Sequence, residues 1–137
     1  MRKDSDNRLT PKSVYDELNQ EFHFCFDPCP YNEGEILNDG LLIEWGKSNF
    51  VNPPYSPELK KAFILKAIEE KAKGNTSVLL LPAQTGTKLF HDIILPNAKE
   101  VRFMKGRIQF EKLDLDGNRI KYKSNPLDSM IVIFQPE

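Results

Sequence analysis

The chain has 137 residues, 39% of them hydrophobic and 28% charged, with 19 basic against 20 acidic side chains. That is enough chain for one domain with a continuous core and too little for two, and a formal net charge of −1 excludes overall attraction to a polyanion, so any such partner has to be met by a local patch. No apolar run approaches the roughly 20 residues of a membrane span, and the opening MRKDSDNRLT has no apolar signal core, which predicts a soluble, cytoplasmic protein.

Residues 1–9 are polar and read as a flexible N-terminus, leaving 10–137 as a single domain. Thr10-Pro11 has the form of an N-cap and a first-turn proline, followed by Val14, Tyr15 and Leu18 as the apolar stripe of a short helix. Phe22, Phe24 and Phe26 then alternate with His23 and Cys25, a strand pattern that stops at Asp27-Pro28 because proline lacks the donor a ladder needs. Residues 29–47 read as loop, with at most one brief strand at Leu41–Ile43; from Glu21 to Trp45 there are six acids and no Lys or Arg.

Asn49–Val51 is a short strand ended by Pro53-Pro54. Ser56-Pro57 repeats the cap signal, and Leu59, Phe63, Ile64, Ala67 and Ile68 mark an amphipathic helix to Lys73, closed by Gly74-Asn75. Ser77–Leu81 is the apolar run of a strand buried on both faces, and Thr85–Leu95 is a second helix. Lys99–Phe110 reads as extended, Leu113–Leu127 as a polar loop or hairpin around Asp116-Gly117-Asn118, and Met130–Phe134 as a last buried strand. This alternation predicts an α/β domain with a mostly parallel, Rossmann-like sheet. Cys25 and Cys29 are too few for a disulfide framework, and with His23 and His91 as the only histidines no metal site is assigned. The two thiols are read as buried and inert.

The stretch with the most chemistry is Asn52-Pro53-Pro54-Tyr55, at the C-terminal end of a predicted strand and before a capped helix. Ligands of open α/β sheets bind at that edge. Two prolines fix the backbone, so that the Asn52 amide oxygen and the Pro53 carbonyl can converge as acceptors on one amino group, while the Tyr55 ring offers a face to a planar base. A nitrogen held in this way exposes its lone pair, which suits alkylation of an exocyclic amine. An ordinary proline-rich turn is the alternative reading.

The segments TPKSVYDEL at 10–18, FHFCFDPCP at 22–30, DGLLIEWGKSNFVNPPYS at 39–56, VLLLPAQTGTKLFHD at 78–92 and VRFMKGRIQF at 101–110 together resemble the phage-encoded Dam-type DNA adenine N6-methyltransferases. The resemblance implies a Rossmann-like fold dependent on S-adenosylmethionine, with double-stranded DNA as partner. It implies that Asn52, Pro53, Pro54 and Tyr55 hold and stack the target adenine. By the same resemblance Thr10-Pro11 touch the methionine part of the cofactor, Asp27 with Pro28 forms the first cofactor-binding position, and Asp39, thirteen residues before Asn52, lies near the cofactor's adenine ring. Many methyltransferases place a glycine-rich turn after the first strand, whereas this chain has Pro28-Cys29-Pro30-Tyr31. Glu33 and Glu35 are both candidates for the ribose.

Residues 99–123 hold eight Lys or Arg and four acids. By pattern alone this is a strand with a solvated basic face; by resemblance, Phe103, Lys105, Arg107 and Phe110 form a DNA-contacting surface. Two other functions share features of this sequence: a glutamine N5-type protein methyltransferase, and a catalytically silent DNA-binding or decoy module. So short a chain leaves little room for a separate recognition domain, so sequence preference is expected from loops such as 111–128 or from a homodimer partner.

Overall fold

A computed structural model describes residues 8–30, 40–54, 56–122 and 125–137. Helix α1 spans Lys12–Phe22 with Pro11 as its N-cap. Thr10 is therefore not the cap. The helix also runs through Phe22, into the stretch whose alternation predicts a strand. His23 ends it in the left-handed region (φ 51°), its amide donating to the Asn19 carbonyl at 2.8 Å, and the Asn19 side chain takes the Phe24 amide at 2.8 Å. What remains of the expected strand is a parallel pairing of Phe26 with Asn49, because the helix exit and Asp27-Pro28 close in on it from both sides.

Strand β1 (Ser48–Val51) leads through the NPPY stretch into α2 (Pro57–Ala72), with Ser56 as N-cap and Pro57 in the first turn. Next come β2 (Thr76–Pro82), a π-helical turn at Leu89–Ile94 that continues as α3 (Leu95–Asn97), β3 (Glu100–Phe103), the hairpin of β4 (Glu111–Leu113) and β5 (Arg119–Lys121), and β6 (Ser129–Phe134). The expected second helix is thus shorter and wider than a regular α-helix. The wider turn is closed by the Leu95 amide donating to the Phe90 carbonyl, and Pro96 stands in the first turn of α3, where its missing amide is tolerated.

The four-stranded sheet has the order β1-β2-β6-β3. β1 and β2 are parallel, but β6 runs antiparallel to both β2 and β3. The sheet is mixed and mostly antiparallel, which corrects the mostly parallel, Rossmann-like expectation; an apolar run reports burial on both faces and carries no information on direction. Alternate residues of β2 face opposite sides. Leu79 and Leu81 pack with Phe63, Ile64 and Ala67 of α2 and with Phe90 and Ile94. Val78 and Leu80 pack with Leu18 of α1, Ile108 and Phe110. Among the described residues no helix is long and apolar enough to cross a membrane.

Two local features hold the frame. Gly40 lies so close to the first bend that a Cβ on it would come within 1.9 Å of the Pro28 carbonyl oxygen, and the Trp45 indole donates to the Gly40 carbonyl at 2.7 Å. At the end of α2, Glu70 is fully buried. Its carboxylate accepts from Asn75 at 2.8 Å and from Lys73 at 3.3 Å, and pairs with Lys66 at 3.4 Å. Cys29 is buried but Cys25 is exposed, which corrects the reading of both thiols as buried; Cys25 lies beside β1, where no strand among the described residues covers it.

Candidate active site

Asp27 follows Phe26, which pairs in parallel beside β1, and Asn52 follows β1 itself. Both therefore emerge at the C-terminal ends of parallel neighbours, the edge at which α/β sheets place ligands. The segment 8–10 crosses this edge. Leu9 is held to β4 by two backbone hydrogen bonds, its amide donating to the Glu111 carbonyl at 2.8 Å and its carbonyl accepting from the Glu111 amide at 3.0 Å.

Asn52 is buried, and its Nδ2 donates to the Arg8 carbonyl at 2.9 Å and to Thr10 Oγ1 at 3.0 Å. A carbonyl oxygen can only accept, so the amide's sense is determined by Arg8. The other end of the amide, Oδ1, is buried and accepts no hydrogen bond among the described residues. An orphaned acceptor of this kind costs about 1–3 kcal/mol and calls for a donor.

Around Asn52 lies a cavity of about 240 Å³ lined by residues that include Thr10, Tyr15, Asp27, Arg8, Lys12 and Arg119. Asp27 Oδ1 accepts from the Cys29 amide at 2.9 Å, shaping the turn through Pro28. The Tyr15 phenol is pushed above its ordinary value, first by burial and then by the charges of Asp27 and Asp16. Its ring stands edge-on to Phe50, with centroids 5.2 Å apart. A larger cavity of about 540 Å³ lies beside Lys60, Lys61 and Lys88, but among the described residues none of those lining it carries an orphaned buried polar atom.

The structure brings Thr10, Asp27 and Asn52 together around one cavity, and Pro28, Pro53 and Pro54 are buried. Pro11 caps α1 and does not line the cavity. Tyr55 and Asp39, like Glu33 and Glu35, lie outside the described residues. Arg8, Tyr15 and Arg119 line the cavity without having been singled out; Arg119 is 109 residues from the Thr10 carbonyl it bonds at 3.2 Å, and no local pattern links the two.

The basic stretch divides. Phe103 is 62% exposed on the edge strand β3, and Lys105 and Arg107 are exposed in the chain that follows, Arg107 3.4 Å from Asp128. Phe110 is fully buried in the core and lies under the Arg8 guanidinium, 5.8 Å from the ring centroid. This corrects its expected place on a DNA-contacting surface: with Ile108 it forms the inward-facing side of the extended segment.

Comparison with known proteins gives the same direction as the geometry. The model of the family described as DNA N-6-adenine-methyltransferase (Dam) matches residues 1–137. A protein of Haemophilus phage HP1 (strain HP1c1), named DNA N-6-adenine-methyltransferase, is 28% identical over 147 residues, a match covering 99% of this chain and 82% of the relative. With a family match running the full length of the sequence, the chain belongs to the DNA N-6-adenine-methyltransferase (Dam) family.

Proposed function

We propose that this member of the family transfers a methyl group from S-adenosylmethionine to the N6 amine of an adenine extruded from double-stranded DNA, at Asn52-Pro53-Pro54-Tyr55. The observation that carries the reading is the buried, orphaned Oδ1 of Asn52, held at a sheet edge with its Nδ2 engaged elsewhere. An amine hydrogen satisfies that acceptor. With the Pro53 carbonyl taking the second hydrogen, the nitrogen's lone pair is left for the new N–C bond, and both acceptors strengthen as positive charge develops on nitrogen. Since Oδ1 is shielded from water, the base displaces a covering group as it enters. Pro53 and Pro54 keep the backbone from shifting, and the Tyr55 ring stacks on the base. No general base is required, because the methylated amine is cationic and passes its extra proton to water.

The residues around the cavity fit S-adenosylmethionine. When bound, it supplies an electrophilic methyl on a sulfonium. Asp27 offers a carboxylate to the cationic and hydroxyl-bearing parts, assisted by the Pro28 turn, while Arg8 and Lys12 bring cations suited to a carboxylate. Incubation with tritiated S-adenosylmethionine and unmethylated DNA, followed by digestion to nucleosides, should place the label in N6-methyladenine. Label in protein would support the glutamine methyltransferase instead, and cofactor binding without transfer the silent module.

Asp27→Ala should weaken S-adenosylmethionine binding by about 1–3 kcal/mol. Because the same carboxylate holds the Cys29 amide, Asp27→Asn is the informative companion: it retains an acceptor for the turn and removes only the charge. Calorimetric affinity unchanged in both variants would place the cofactor elsewhere.

For DNA, the proposed surface is Phe103, Lys105 and Arg107. Alanine at both basic positions should weaken binding on all sequences and lower the salt slope by about one unit per lost phosphate contact. A slope equal to the parent's would leave these residues as solvated surface.

A further inference from the structure

The reaction as proposed depends on Asn52 presenting oxygen rather than NH₂ to the target amine, and the amide has no intrinsic preference between the two. The Arg8 carbonyl fixes that sense; we propose that Thr10, whose hydroxyl takes the second Nδ2 hydrogen, is a positioning residue that holds the amide in place, itself held by Arg119 of the β4–β5 hairpin, and that this relay, rather than cofactor contact, is what Thr10 contributes to turnover. The proposal rests on the role given to Asn52 above.

Three links support it. Asn52 Nδ2 has two hydrogens and two acceptors, the Arg8 carbonyl at 2.9 Å and Thr10 Oγ1 at 3.0 Å, so Oδ1 is the only free end of the amide among the described residues. The Thr10 carbonyl in turn accepts from Arg119 Nη1 at 3.2 Å. Arg119 is itself held by the Glu111 carboxylate at 2.8 Å, and Glu111 grips Leu9 through two backbone hydrogen bonds. The hairpin thus holds two consecutive residues, Leu9 and Thr10, and the reacting amide is oriented by the Arg8 carbonyl, which shares a peptide unit with the Leu9 amide, and by Thr10 Oγ1. Were the amide reversed, its NH₂ would confront the amine's own hydrogens and Oδ1 would face the Arg8 carbonyl. Both are repulsive contacts, so a loosened relay should lower the fraction of enzyme able to react without altering what it binds.

The test is steady-state and single-turnover methyl transfer on adenine-containing duplex DNA by Thr10→Val, Thr10→Ser, Arg119→Ala and Asn52→Ala, with calorimetric titration of S-adenosylmethionine. Thr10→Val keeps the shape and removes the acceptor. It should lower kcat about tenfold, a part of the loss caused by removing Asn52, with cofactor affinity and KM for DNA within about twofold of the parent. Thr10→Ser should restore the rate, and Arg119→Ala should show a smaller loss of the same kind. In an Asn52→Ala background, Thr10→Val should have no further effect on kcat, because the group it positions is gone. A Thr10→Val variant with raised cofactor Kd and parental kcat at saturation would make Thr10 a cofactor contact and overturn the relay. Failure of serine to rescue, or additive losses with Asn52→Ala, would overturn it too. If Asn52→Ala itself retains the parental rate, the proposed function fails first and takes the relay with it.

Discussion

Asn52→Ala is expected to cut single-turnover methyl transfer by about 10²–10³, equivalent to about 2.7–4 kcal/mol of transition-state stabilisation, while S-adenosylmethionine affinity stays near the parent's. Hydrogen bonding to the amine strengthens as its nitrogen becomes positive, so the loss belongs to the transition state more than to binding. Stability should change little. The substitution removes two donated bonds, to Arg8 and Thr10, but also a buried acceptor that has no partner among the described residues, and these effects oppose each other. A folded protein with a large loss of rate is therefore the expected result, checked by pairing rapid-quench transfer with urea denaturation. Tyr55→Ala should instead weaken capture of the extruded base, with Tyr55→Phe or Trp tolerated, since the ring face stacks.

Glu70→Ala should give the opposite outcome: a loss of about 3–5 kcal/mol in stability, read from the denaturation midpoint, with parental kcat in the folded fraction. Burial by itself would raise the Glu70 pKa, but hydrogen bonds from Asn75, Lys73 and Lys66 outweigh it and hold the carboxyl below its ordinary value. Truncation strands Lys66, whose side chain is only 12% exposed, and frees the Asn75 amide at the turn into β2. The pH dependence has a definite sign. A carboxyl with a depressed folded-state pKa contributes its full stabilisation above the unfolded-state value and loses it as pH falls through the folded one. The parent should therefore be destabilised on the acid side by an increment that Glu70→Gln lacks, and the gap between the two should close as pH falls.

Much of the fold was legible. Proline and cap signals located α1 and α2 within a few residues, and the apolar runs located β2 and β6. Strand direction was not legible, and the end of α1 at Phe22 was hidden by the Phe22-Phe24-Phe26 alternation, which fits a strand but is here divided between a helix end, a left-handed residue and a single bridge. In the basic stretch the pattern alone predicts a strand with a buried apolar face and a solvated basic one, which is what Phe110 shows; its place on a contact surface is implied only by the resemblance.

Local sequence determined where the chain turns, which residues are apolar and that Asn52-Pro53-Pro54-Tyr55 follows a strand, because proline geometry, capping and side-chain period act over a few neighbouring residues. Only the tertiary structure decided which polar groups meet. Thr10 has a cap's sequence signature, yet its hydroxyl accepts from Asn52, 42 residues away, and its carbonyl is held by Arg119, 109 residues away. A buried polar group takes whichever partner the packed elements bring within about 3 Å. That choice depends on how the β4–β5 hairpin and the segment 8–10 meet across the sheet edge, and nothing in the local pattern around Thr10 or Asn52 encodes it.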